Sequence, residues 1–91
     1  MKIVIVGCGK IGTMILSSLV AEEHDIVAID IAPSALTDIT NIHDVMAICG
    51  NGADSDVLEE AGVSKADLFI AVTGSDELNM LSCFLARRMG A

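Results

Sequence analysis

The run Val4-Ile5-Val6-Gly7-Cys8-Gly9-Lys10-Ile11-Gly12, followed by an apolar segment that ends at Asp30, constrains this chain more than any other feature. It reads as a strand, a Gly-x-Gly-x-x-Gly turn, a helix start, and a second strand closed by a carboxylate. Gly7 permits the tight turn out of the strand. Gly9 has no side chain, so a pyrophosphate can approach the backbone, and Gly12 lets the helix pack closely on the sheet. The helix start aims unpaired N–H groups and a partial positive charge at that phosphate. Asp30 is placed to accept hydrogen bonds from a ribose diol. The pattern points to nucleotide binding; the plainer alternative is a glycine turn kept for packing, with the pocket empty.

The rest of the chain repeats the alternation. Apolar runs predict strands over Lys2–Val6, Asp25–Asp30, Val45–Cys49 and Leu68–Val72. Helical spacing follows each of them. The first helix runs from Lys10 to about Glu22, with Ile11, Met14, Ile15 and Leu19 on or near one face. The second starts at Pro33, which suits a first helical turn, and runs to about Ile39. Asn41 to Asp44 reads as a connection. After the third strand comes a second glycine-rich turn, Gly50-Asn51-Gly52-Ala53. Asp54, Ser55 and Asp56 are candidate caps for a third helix through Ala61, which Gly62 would stop. Ser75 or Asp76 caps a fourth that runs to about Met89. Four such units predict a parallel sheet with right-handed crossovers. The expected fold is α/β, a Rossmann-like doubly wound sheet of strand order 3-2-1-4, forming one domain over residues 1–91. Its switch point lies between strands one and four, where Gly7 and Thr73 mark the same crevice.

Composition narrows the function. Hydrophobic residues make up 53% and aromatics 2%, so the core is aliphatic and its strands suit burial on both faces. A net charge of −8 with five Lys and Arg excludes a nucleic-acid binder, and without Trp or Tyr there is no stacking platform. Cys8, Cys49 and Cys83 have no metal-type spacing and read as small buried residues in a reducing compartment. Met1-Lys2 leads directly into a strand, so no signal peptide is expected. No apolar run has the length of a membrane span. Any membrane connection is therefore expected through a partner.

Catalytic signals are weak. His24 and His43 fall in connections before strands, away from the crevice. Cys8 lies near a helix N-terminus that could lower its pKa, yet no base stands beside it. The acidic residues are scattered. Asp76, Glu77 and Asn79 sit near the crevice, with capping the expected role of Asp76. Asp30 argues against NADP, because a carboxylate repels a 2′-phosphate and residues 31 to 40 hold no Lys or Arg to receive one. Lys10 opposes the helix dipole, so it is either a solvated lysine or a partner for an anion, and a polyphosphate such as ATP suits it better than NAD.

The sheet stops where a fifth strand is expected to begin, leaving strand four as an open edge. On the last helix Leu78, Leu81, Leu85 and Met89 form one apolar stripe, and Met80, Cys83 and Phe84 form another. Two apolar faces imply cover on two sides, by a subunit or by further chain.

Together these residues resemble the TrkA N-terminal domain family, also called RCK or KTN domains. The likeness runs from Met1 to Gly12 and through Val27-Ala28-Ile29-Asp30 and Gly50-Asn51-Gly52-Ala53. It continues with Val57-Leu58-Glu59-Glu60-Ala61-Gly62-Val63, Ala66-Asp67 and Ala71-Val72-Thr73-Gly74-Ser75-Asp76-Glu77-Leu78-Asn79-Met80. The resemblance implies a cytoplasmic, usually dimeric regulator that binds NAD(H) or ATP/ADP and gates a membrane potassium-translocating subunit, to which it is peripheral. It implies that Gly7, Gly9, Lys10, Ile11 and Gly12 line the phosphates, and that Asp30 holds the adenosine ribose with Ile31 beside the adenine. Asn51, Gly52 and Ala53 border the adenine end, and Thr73 and Gly74 form the opposite wall. Asn51 stands where the family often carries Asp. Two other readings remain open: the amino-terminal part of an NAD-dependent dehydrogenase, and an assembly domain with an empty pocket.

Overall fold

The computed structural model describes all residues 1–91. The elements are β1 (Lys2–Val6), α1 (Lys10–Val20), β2 (Asp25–Asp30), α2 (Pro33–Ile42), β3 (Met46–Cys49), α3 (Ser55–Glu60), a 3₁₀ turn (Val63–Lys65), β4 (Leu68–Ala71) and α4 (Asp76–Arg88). The four strands are parallel, in the order β3-β2-β1-β4. Val6 stands level with Ile29 on one side and Ala71 on the other, so the strands finish together at one end of the sheet.

Each face of the sheet carries its own core. Ile3, Ile5, Ile26 and Ala28 pack under Leu16 of α1 and Leu36 and Ile39 of α2. Val4, Val6, Val27, Ile29 and Ile48 pack under Leu58 of α3 and Ala86 of α4. β1 is buried on both faces, which explains its unbroken apolar run. β4 is the sheet edge, half-buried, with Leu68 40% exposed.

Several element limits differ from expectation. α1 stops at Val20, because residues 21–23 turn and Glu23 takes a left-handed φ of 62°. α2 continues to Ile42, so Asn41 and Ile42 are helical: His43 N–H donates to Ile39 O at 2.8 Å and Thr40 Oγ1 donates to Leu36 O at 3.0 Å. β3 begins one residue late, at Met46, and β4 ends one residue early, at Ala71. Asp54 caps α3, accepting from Asp56 N–H at 2.9 Å, and Gly62 ends that segment with φ of 77°. The 3₁₀ turn at Val63–Lys65 was not expected.

Two helix faces also differ. Gly12 and Leu16, one turn apart, face the sheet, which turns Ile11 and Met14 outward. Ile15 and Leu19 do pack on the core, half-buried. On α4, Ser82 and Ala86 are the buried residues, with Leu85 and Met89 packed beside them. Leu81 joins Met80, Cys83 and Phe84 on an exposed apolar face.

Candidate functional site

A hollow of about 290 Å³ lies where the strands finish, between the turns that follow β1, β3 and β4. Eight predicted residues line it: Gly7, Gly9, Asp30, Ile31, Asn51, Gly52, Thr73 and Gly74. Val6, Gly50, Val72 and Leu78 complete the lining and were not singled out from the sequence. Gly50 belongs to the glycine turn already noted, Val6 ends β1, and Val72 directly follows β4. Lys10, Ile11, Gly12 and Ala53 are not among the lining residues. Lys10 and Ile11 point to solvent, and Gly12 is buried against the loop.

The three motif glycines have different physical reasons. Gly7 has φ of 103°, and a Cβ there would stand 2.8 Å from the backbone of Val72 and Thr73. A Cβ on Gly12 would overlap the carbonyl oxygen of Gly7. Those two are required by packing. At Gly9 a Cβ meets no protein atom within 4 Å. Nothing in the chain needs a glycine there, and the open space lies on the hollow.

Gly9 also begins α1 without a side-chain cap, and the first turn holds no acidic residue. The first helical bond runs from Thr13 N–H to Gly9 O at 2.9 Å, so the N–H groups of Lys10, Ile11 and Gly12 have no protein acceptor. By contrast, Asp54 caps α3 and Ser75 caps α4, each with acidic residues in the first turn. Ser75, not Asp76, is the α4 cap, through a bond from Leu78 N–H to Ser75 Oγ at 3.2 Å.

Asp30 ties two turns together. Its Oδ2 accepts from Cys8 N–H at 2.7 Å and its Oδ1 from Ala32 N–H at 2.8 Å. Each oxygen keeps a further lone pair for an outside donor. Beside it Ile31 is 71% exposed, an apolar surface with no protein covering it. Asn51 turns its Oδ1 inward to Ala53 N–H at 2.8 Å, which leaves its amide nitrogen as the donor it can offer.

The opposite wall is held from α4. Asn79 Oδ1 accepts from Thr73 N–H at 2.8 Å and from Thr73 Oγ1 at 2.6 Å, and Asn79 Nδ2 donates to Thr73 O at 3.2 Å. Ser82, fully buried, donates its hydroxyl to the carbonyl of Gly52. Ser82 carries no sequence signal, since its partner lies 30 positions away.

The cysteines and histidines lie apart from this chemistry. Burial, then the charge of Asp30, pushes the Cys8 thiol up to about 12. The helix-terminus effect expected to lower it is outweighed, and the thiol is neutral at pH 7. Cys49 and Cys83 are exposed, contrary to expectation. His24 contacts the terminal amine and Glu22, and His43 contacts Ser17 Oγ at 3.2 Å. No group of His, Cys, Asp or Glu has a metal-binding arrangement.

Comparison with known proteins adds the family. The model of the TrkA-N domain matches residues 3–91. A Trk system potassium uptake protein TrkA homolog of Methanothermobacter thermautotrophicus is 41% identical over 87 residues, covering 96% of this chain and 40% of that protein. One from Archaeoglobus fulgidus is 45% identical over 91 residues, covering 100% of this chain and 20% of that protein. The chain thus spans less than half the length of these relatives. Among solved structures, the Shewanella denitrificans Kef CTD in AMP bound form superposes with a TM-score of 0.84 at 23% identity, covering 97% of this chain and 52% of that one.

Proposed function

This chain belongs to the TrkA-N domain family, and on that premise we propose that it is the nucleotide-sensing domain of a cytoplasmic regulator of potassium uptake. The observation that carries the reading is Gly9, with its open space, at the uncapped start of α1. Three free N–H groups and a helix dipole favour an anion there. Asp30 stands ready for a ribose diol and Ile31 for the face of an adenine. The ligand is NAD(H) or ATP/ADP, which share an adenosine and a phosphate chain. The AMP named for the Kef neighbour belongs to the same class. NADP does not suit a site whose ribose partner is a carboxylate. Lys10 is exposed beside the phosphate position and adds a cation to a longer phosphate chain.

The action is regulatory. A ligand changes the balance of two subunit arrangements by its difference in affinity for them. α4 supports this reading, because it holds both walls of the hollow on one side and presents Met80, Leu81 and Phe84 on the other. The partners are a second copy of the protein and a membrane potassium-translocating subunit, reached peripherally. No helix of the structure is long and apolar enough to cross a membrane. Nothing in the geometry favours a dehydrogenase over this reading.

Sedimentation of nucleotide-free protein, with and without NADH, NAD, ATP and ADP, tests the proposal. A shift in oligomer distribution with one or more of them is expected. Binding without any such shift would leave a nucleotide site with no regulatory output and refute the coupling.

A further inference from the structure

Ser82 is the one polar side chain among the buried residues that pack between α4 and the sheet. Leu85, Ala86 and Met89 share that packing and are apolar. An alanine or valine in its place would fill an apolar contact; the serine instead donates to the carbonyl of Gly52, which receives no backbone N–H. Gly52 packs closely on this contact: a Cβ there would stand 2.9 Å from Ser82 Oγ and would overlap the Val6 side chain. One turn earlier on the same helix, the amide of Asn79 binds the N–H, hydroxyl and carbonyl of Thr73 together. Thr73 and Gly52 line the same hollow, from turns after different strands.

We propose that Asn79 and Ser82 are positioning residues of the nucleotide site. From one rigid helix they fix the Thr73–Gly74 wall and the Gly50–Gly52 wall at a set distance across the ligand. This rests on the nucleotide reading above, since neither residue lines the hollow itself. A pocket whose walls are prefixed binds without paying to order two glycine turns, whose backbone entropy is large. The i, i+3 spacing of Asn79 and Ser82 puts both anchors on one side of α4, so any movement of the helix moves both walls.

The test compares Asn79→Ala and Ser82→Ala with the exposed control Glu60→Ala on α3, using amide hydrogen exchange of the free chain and calorimetric titration with ADP and NADH. Asn79→Ala should speed exchange of the Thr73 amide. Ser82→Ala should speed exchange of the Ala53 and Asp54 amides. Each should rise about tenfold while the sheet amides of β1 and β2 keep their protection, and nucleotide affinity should fall by about tenfold. Ser82→Cys, near in size and still a weak donor, should recover part of the loss. Glu60→Ala should change neither readout. Uniform acceleration across the sheet, or wild-type affinity in both folded alanine variants, would overturn the proposal. If the wild-type chain binds neither nucleotide, the ligand reading fails, and exchange at the two walls still decides whether these residues hold them.

Discussion

The carboxylate of Asp30 holds the glycine loop through Cys8: its Oδ2 lies 2.7 Å from the Cys8 amide nitrogen, across from β2 to the turn after β1. The proposed ribose partner and the proposed phosphate loop are thus one hydrogen-bonded unit. Asp30→Ala should therefore lower both affinity and stability, because it leaves the N–H groups of Cys8 and Ala32 without acceptors. Unfolding in urea should show a loss of roughly 1–3 kcal/mol. Asp30→Asn keeps one acceptor oxygen and sets its NH2 against the other N–H, so it should recover only part of the stability, with nucleotide affinity still reduced about tenfold.

The Cys8 thiol supplies a pH prediction. Its pKa rises from 9.0 to about 12 on folding, through burial and then the Asp30 charge. The folded chain therefore holds this proton where the unfolded chain has lost it. The unfolded state binds fewer protons between those values, so stability falls as pH rises through that window. Below pH 9 the thiol contributes no slope. Urea midpoints measured from pH 7 to pH 10 should decline above pH 9, and Cys8→Ala should remove part of the decline. At pH 8, Cys49 and Cys83 should react with a thiol reagent in the folded chain, and Cys8 only on unfolding.

Gly12 and Gly7 pack backbone to backbone. Gly12→Ala places a methyl group on the Gly7 carbonyl oxygen, which the helix and strand must separate to relieve. A destabilisation of about 1–3 kcal/mol in urea unfolding is expected from overpacking of this kind.

The outward face of α4 should respond differently from its inward face. Phe84 is 58% exposed, with the Arg88 guanidinium 5.7 Å from its ring centroid. Phe84→Glu should leave the melting temperature within a few degrees and shift sedimentation toward monomer. An unchanged oligomer distribution would remove this face from the subunit contact.

The sheet order and the turns that line the hollow were readable from residues close in sequence. Glycine turns after apolar runs mark strand ends, and Asp30 closes a run visible by itself. What escaped depended on contacts far along the chain. Ser82 looks like any helix-surface serine until Gly52, from another turn, meets its hydroxyl. Ile11 and Met14 were placed inward by spacing, whereas Gly12 must face Gly7, and that rotates the helix. Asn41 and Ile42 read as part of a connection, while Thr40 bonding back to Leu36 keeps the helix going. Cys8 lies near a helix N-terminus that could lower its pKa, but its burial reverses the sign of the shift.

Gly9 offers the most direct test of the central claim. A Cβ there meets nothing within 4 Å, so Gly9→Val should fold with an unchanged sheet while its methyl groups enter the space assigned to the phosphates. Calorimetric titration of NADH, NAD, ATP and ADP into nucleotide-free wild-type and Gly9→Val protein decides the matter. Binding by the wild-type chain and none by a folded Gly9→Val is the predicted result. Equal affinity in the two proteins would contradict the assignment of the phosphate site to the start of α1.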